Sequence, residues 1–392
     1  MSVIGIVCEF NPFHKGHKYL IDSVKKQGDT IVCVMSGNFV QRGEPALFSK
    51  EARVKAALLN GADIVLELPF IYATASAEIF AYNAVKILND FGCEKLAFGT
   101  ENADIESLEK AVNIFEKSDF DVKIKKYLED GISYPAARQQ AFDEYNMDFD
   151  ISTPNNILAL EYLKAIKKLD SEMIIMPINR IGAGYNDIKD IDGIASATHI
   201  RQLIKKAEDF TEFIPENTIE IYNEEIKDGR CVSENKYNFA AVSLLRSKLN
   251  EDLSGIANMA EGLENRIKSA IKDSISLEEI YDKSKTKRFT HSRIRRAVLS
   301  LTLGVTADDF KISVPYCRLL GFNKNSAEVI GTLAQNSKIP FVASYSDILN
   351  IKSANAEKVF ALEKKTGDFY SLIMQNSAAC SKEMTFSPVK MQ

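Results

Sequence analysis

Residues 1–20 read MSVIGIVCEFNPFHKGHKYL. Val3, Ile4, Ile6, Val7 and Cys8 make a short apolar run rich in β-branched side chains. That is the pattern of a strand covered on both faces, as in a parallel sheet. Pro12 biases Asn11 toward extended backbone and ends the strand. A helix can then begin at His14-Lys15-Gly16-His17. Two imidazoles, a lysine, a bare glycine backbone and a helix N-terminus in one turn suit the binding of a polyphosphate.

Strand-like and helix-like runs alternate from there. Strands are expected at residues 30–35, 62–68, 95–98 and 173–178. Helices are expected at about 14–26, 49–60, 76–89 and 154–168, in two stretches within 105–145, and from Ser196 onward. Such alternation implies βαβ units and a Rossmann-like, doubly wound parallel sheet of the α/β class. Ligands bind beyond the carboxyl ends of the strands in such sheets. The polar clusters Glu9–His17, Ser36–Arg42, Gly99–Glu101 and Asn179–Tyr185 fall at those ends.

After residue 207 the character changes. Residues 208–232 carry Glu208, Asp209, Glu212, Glu216, Glu220, Glu224 and Glu225 and read as an acidic connector. Residues 233–392 show mostly helical periodicity, with one short strand-like run at 340–343, and read as a mainly helical second domain. Two or three domains suit 392 residues. No apolar stretch reaches the ~20 residues of a membrane span, and no basic-then-apolar leader opens the chain. A cytoplasmic protein away from membranes is expected. The six cysteines are scattered without a C-x-x-C pair, so buried free thiols are expected and a structural zinc site is not. The formal charge of −5 gives no overall pull toward nucleic acid, so any RNA contact must be local. One local patch exists. Lys283, Lys285, Lys287, Arg288, His291, Arg293, Arg295 and Arg296 crowd residues 283–296 around Phe289, with no acid between them. Phosphate contacts supply affinity in such patches; the plain alternative is a solvated helix face.

H-x-G-H alone is a short pattern, and its plain alternative is a histidine that caps a helix. A second segment, Ser196-Ala197-Thr198-His199-Ile200-Arg201, offers hydroxyls and backbone N–H groups at a helix start, with a fork-shaped cation one turn on. Together the two motifs bracket the five expected strands and resemble the signature pair of the HIGH-type nucleotidyltransferases. The likeness narrows with the longer motifs. GIVCEFNPFHKGH (5–17), MSGNFVQRGEP (35–45), FGTE (98–101), PNNIL (154–158), SATHIR (196–201) and KTKRFT (285–290) resemble the bacterial tRNA(Met) cytidine acetate ligase family.

That resemblance implies an enzyme that activates acetate with ATP as acetyl-adenylate and acetylates N4 of the wobble cytidine of elongator tRNA(Met), forming N4-acetylcytidine. It implies an ATP-binding unit at 1–207 and a tRNA-binding role for 233–392. It implies an ATP site built from Val7, Cys8, Glu9, Phe10, Asn11, Pro12, Phe13, His14, Lys15, Gly16, His17, Lys18, Tyr19 and Leu20, with Gly99, Asn155, Arg180, Ser196 and Thr198. His14, His17, Lys15 and Arg201 are the expected catalytic groups, acting on the charge of the phosphoryl oxygens. Mg²⁺ is expected on the triphosphate, although no carboxylate triad marks its site. Asn38, Gln41 and Arg42 are expected to face acetate or the incoming base. Lys287, Arg288, Arg293, Arg295 and Arg296 are expected to touch tRNA; Lys50 and Arg53, about one turn apart on their helix, are further candidates, with a solvated helix face as the plain alternative. Thr100 replaces the family's usual serine, Glu51 stands where tryptophan is common, and Ala159 replaces a frequent glycine; none removes a phosphate-binding group. A cofactor-forming nucleotidyltransferase and a non-catalytic tRNA-binding protein are the alternatives. The oligomeric state is not legible.

Overall fold

The computed structural model describes residues 2–147, 149–181 and 193–392. The central sheet starts with β1 (Val3–Cys8), followed by α1 (Lys15–Val24), β2 (Thr30–Ser36) and α2 (Lys50–Leu59). Next come β3 (Ile64–Leu68), α3 (Ala77–Phe91), β4 (Lys95–Thr100), α4 (Pro154–Lys168) and β5 (Ile174–Asn179). Then follow α5 (Ala197–Lys205), α6 (Glu216–Lys227), α7 (Glu234–Ser247) and α8 (His291–Leu303). The last labelled elements are β6 (Cys317–Asn323), β7 (Phe341–Val342), α9 (Ala354–Ile373) and β8 (Val389–Met391). The strand order is β8-β6-β3-β2-β1-β4-β5, with β7 beside β6. β1 pairs in parallel with β2 on one side and β4 on the other. The chain therefore reverses direction across the sheet at β1, and a crevice opens beyond the carboxyl ends of β1 and β4.

The five expected strands are present, within a residue or two at their ends. Ser49 and Ser76 cap α2 and α3 with their hydroxyls, as their positions before apolar-periodic runs imply. The region 105–145 holds three helices where two were expected: Ile105–Phe115, Phe120–Glu129 and Tyr134–Asp143. The cluster 179–185 lies partly outside the described residues, Tyr185 among them. Five cysteines are buried and free, while Cys380 is exposed.

Two expectations need correction. The stretch 208–232 is more than an acidic connector. Its helix α6 packs on α2, and Tyr222 is fully buried, its ring stacked on Phe48 at 4.4 Å and its hydroxyl accepting from Phe13 N–H at 2.9 Å. The stretch 233–392 is mainly helical, as expected, but is not a separate domain. β6 runs antiparallel beside β3, and β8 and β7 pair in parallel with β6, so the C-terminal part completes the sheet. β3 has no exposed residue, so its outer edge needed a partner that only late sequence supplies.

Beneath the carboxyl ends of β2 and β3 lies a buried charge cluster. Lys50 pairs with Glu67 at 2.5 Å and Glu383 at 2.8 Å, and Arg318 pairs with the same two at 2.8 and 2.7 Å. Burial would raise the Glu383 carboxyl, but Lys50 and Arg318 hold it down at about 2. Glu363 joins them with one oxygen on Phe70 N–H, and burial, reinforced by Glu67, pushes it up to about 8. A protonated Glu363 leaves two carboxylates facing two cations. Lys50 is thus unavailable to RNA. So is Arg53, which is fully buried and donates to the carbonyls of Phe48, Glu9, Ser36 and Gly37. Its helix faces the sheet, so the solvated-face and RNA readings both fall.

Candidate functional site

A cleft of 650 Å³ opens beyond the carboxyl ends of the strands, where ligand binding is expected. β1 delivers Val7–Asn11 to its floor, α1 delivers His14, Gly16 and His17, and α5 delivers Ser196, Thr198 and Arg201. Gly99 at the end of β4, Asn155 at the start of α4 and Arg180 after β5 close another side, joined by Gln41 and Arg42 from the loop after β2.

The two histidines form a reciprocal capping box. His14 Nδ1 accepts from Gly16 N–H at 3.0 Å, and His17 Nδ1 accepts from His14 N–H at 3.2 Å. The imidazoles stack at 3.8 Å between centroids. A nitrogen that accepts a backbone N–H carries no proton, so in each neutral ring the proton sits on Nε2. Both rings therefore present an N–H donor to whatever fills the cleft. Burial, together with the charges of Arg180 and Arg201, pushes His14 down to about 3. Burial and then the His14 and Arg180 charges push His17 well below the usual imidazole range. The capping and ligand-binding readings of His14 are both satisfied, by different nitrogens. Gly16 is required by the same geometry: a Cβ there would lie 2.9 Å from His14 Cε1.

Arg201 is aimed by its neighbours. It donates to Asn11 carbonyl oxygen at 2.8 Å and to Thr198 Oγ1 at 3.2 Å, and it faces Glu44 at 4.0 Å. Ser196 caps α5 by accepting His199 N–H at 3.2 Å, which leaves the helix start open to an anion. Arg180 reaches Asn155 Oδ1 at 3.4 Å, and Asn155 in turn donates to Glu101 at 2.5 Å. The second asparagine of the pair, Asn156, does the structural work. Its Oδ1 accepts from Thr100 Oγ1 at 2.6 Å and Glu101 N–H at 3.1 Å. The Thr100 replacement therefore keeps the hydroxyl in use.

Not every expected residue lines the cleft. Pro12 and Phe13 are buried and turn inward. The Lys15 side chain is exposed, and Lys18 pairs with Asp22 on the outer face of α1 at 2.8 Å. Asn38 is a correction: it is buried and donates to Glu383 at 2.9 Å, lining a separate 310 Å³ cavity. It braces the charge cluster instead.

The basic patch divides. Lys287 and Arg288 are exposed; Arg288 and Arg293 share Glu261 at 3.3 and 3.1 Å. Arg295 pairs with Glu44 at 2.5 Å, and Arg296 donates to Gln41 carbonyl oxygen at 3.5 Å and lines the cleft with Thr290 and Ser292. Phe289 is buried, with Arg293 over its ring at 5.0 Å. The start of α8 is thus a wall of the cleft. Sequence reading missed this, because nothing in a one-dimensional charge run says which arginines turn inward. Among the described residues no group of three or more His, Cys, Asp or Glu side chains converges to hold a metal ion.

The HIGH Nucleotidyl Transferase family model matches residues 1–384. The tRNA(Met) cytidine acetate ligase of Acetivibrio thermocellus is 38% identical over 401 residues, covering 96% of this chain and 96% of its own. That of Caldicellulosiruptor saccharolyticus is 38% identical, covering 95% and 94%. The crystal structure of Thermotoga maritima TmcAL bound with alpha-thio ATP has a TM-score of 0.91 to this fold at 31% identity, covering 100% of this chain and 99% of that one. Nearly full-length similarity joins a cleft whose histidines, arginines and helix starts are arranged around a polyphosphate-sized space. The chain belongs to the tRNA(Met) cytidine acetate ligase family of HIGH nucleotidyltransferases.

Proposed function

We propose that this chain activates acetate with ATP and transfers the acetyl group to N4 of the wobble cytidine of elongator tRNA(Met). The observation that carries the reading is the reciprocal capping of His14 and His17 through Nδ1, which leaves both Nε2 atoms for a ligand in the cleft that Arg201 also lines. A carboxylate is a poor acyl donor and needs a leaving group. Acetate attacks the α-phosphorus of ATP, an O–P bond forms, and the bond to pyrophosphate breaks. The His14 and His17 N–H groups, fixed before the reaction, stabilise charge on the phosphoryl oxygens; one such donor is worth roughly 10²–10³ in rate. Ser196, Thr198 and Arg201 hold the departing pyrophosphate. Gln41 and Arg42 face acetate or the base, and Mg²⁺ accompanies the triphosphate. The α8 wall and exposed Lys287 and Arg288 meet the tRNA, and the reaction takes place in the cytoplasm.

Acetate-dependent ATP–pyrophosphate exchange, followed by nucleoside analysis of tRNA(Met), tests this. Exchange and N4-acetylcytidine are expected, and His17→Ala should lose exchange while retaining tRNA binding. Absence of acetate-dependent exchange, or exchange that requires a mononucleotide instead, would sink the reading.

A further inference from the structure

The second half-reaction requires a proton acceptor, and the histidines cannot be it. The exocyclic amine of cytidine is conjugated with its ring and is a weak nucleophile; a proton must leave N4 as the N–C bond forms. In both imidazoles the lone pair of Nδ1 is engaged by a backbone N–H, and Nε2 already carries its proton. Among the described residues, Glu9 is the only carboxylate lining the cleft.

Its placement fits that task. Glu9 follows β1 directly, and its main chain is held by Arg53, which donates to its carbonyl oxygen at 2.8 Å. Its carboxylate accepts Gln41 N–H at 2.7 Å through Oε1. Gln41 carbonyl oxygen in turn accepts from Arg296 on the α8 wall. The carboxylate is therefore close to Arg201 and Arg42 and tied through Gln41 to the α8 wall. Burial raises its proton affinity, opposed by the Gln41 hydrogen bond and by Arg42, Arg201 and Arg53. A carboxyl raised in this way is a stronger base than an exposed one, yet the three arginines favour its ionised form.

We infer that Glu9 is the general base of acetyl transfer, taking the N4 proton of cytidine as the amine attacks the acetyl carbonyl. The N–C bond forms, the C–O bond to the adenylate phosphate breaks, and AMP departs with that electron pair. The proton on Glu9 passes to solvent or to AMP when the product leaves. The assignment rests on the ligase reading above and adds to it the group that makes the second step possible.

The test separates the two half-reactions in the full-length chain. Synthetic acetyl-adenylate and a tRNA(Met) transcript report transfer; acetate-dependent ATP–pyrophosphate exchange reports activation. Glu9→Gln should slow transfer by roughly 10²–10⁴, the range of general-base contributions, and slow it at least about tenfold more than it slows exchange. Glu9→Asp should lie between the two. In the unmutated chain, transfer should fall on the acid side of its profile as Glu9 gains a proton. The groups facing it are Arg42, Arg53, Arg201, Cys8 and Tyr162, and none of these takes up a proton in the mildly acid range. Glu9→Gln should lack that limb. Transfer by Glu9→Gln within about threefold of the unmutated rate would overturn the assignment, as would equal losses in both half-reactions, which mark a nucleotide-holding role. If Glu9→Gln does not fold, the acid limb of the unmutated chain decides: a flat profile removes Glu9 as the base. Failure of the unmutated chain to catalyse acetate-dependent exchange would instead strike the ligase reading itself.

Discussion

Each imidazole of the H-x-G-H pair has one nitrogen committed to the backbone and one left for the ligand. The helix start needs acceptors for its orphan N–H groups, and His14 and His17 supply them through Nδ1. The hydrogen bond that stabilises α1 thereby sets the tautomer that binds phosphate. With folded proton affinity this low, both rings should be neutral Nε2–H tautomers at pH 5.5 by ¹⁵N NMR; imidazolium shifts at that pH would contradict the arrangement. The stability consequence has a definite sign. His14 in the unfolded chain titrates near 6.5 and in the folded chain at about 3. Between those values the unfolded state binds more protons, so the group's contribution to stability falls as pH drops from about 6.5 toward 3.

At the scale of elements, the turn after β2 fastens the sheet to α8. Gly43 has φ +76°, and a Cβ there would lie 2.7 Å from Arg296 N and 2.8 Å from Arg295 C. Both the backbone conformation and the close approach exclude a side chain. Gly43→Ala should cost roughly 1–3 kcal/mol in urea unfolding and raise KM for tRNA more than for ATP, because α8 must move away. The buried cluster joining β3, β6 and α9 makes a second prediction. Glu363 holds its proton up to about pH 8 in the folded chain, whereas an unfolded glutamate loses it near 4.5. The folded state binds more protons in that window, so stability falls as pH rises through it. Glu363→Gln mimics the protonated acid and should remove this loss, visible as a smaller drop in Tm between pH 6 and pH 9. A parallel drop in both proteins would show that Glu363 is ionised throughout.

For the whole molecule, the cleft is a joint product of two distant parts of the chain. Glu44 stands between Arg201 on α5 and Arg295 on α8, so the nucleotide clamp and the basic helix share one carboxylate. The arginines of the patch should therefore behave in two groups. Replacing Lys287, Arg288 and Arg293 by Ala should weaken tRNA binding and flatten its salt dependence, by about one unit of slope for each phosphate no longer neutralised, with exchange activity kept. Replacing Arg295 or Arg296 should reduce exchange as well. Equal effects of all five on both readouts would remove the distinction.

The strand pattern of residues 3–8, the breaker at Pro12 and the hydroxyl caps at Ser49, Ser76 and Ser196 are local properties, and local chemistry determined those elements and their order. Order and right-handed crossovers then placed the polar strand ends together, so His14, His17, Gly99 and Arg180 were legible as one site, while Arg201 was tied to them by the motif pair and Asn155 by the family resemblance. Side-chain direction was not. Lys50, Arg53 and Asn38 look like surface chemistry in one dimension. Their carboxylate and carbonyl partners come from residues as distant as Glu383, and only folding brings them near. The same holds for β6, whose place beside β3 depends on an exposed sheet edge that no short window of sequence reveals. What tertiary structure alone decided was which charges are paired inside and which face the cleft, because burial and pairing depend on partners far away in the chain.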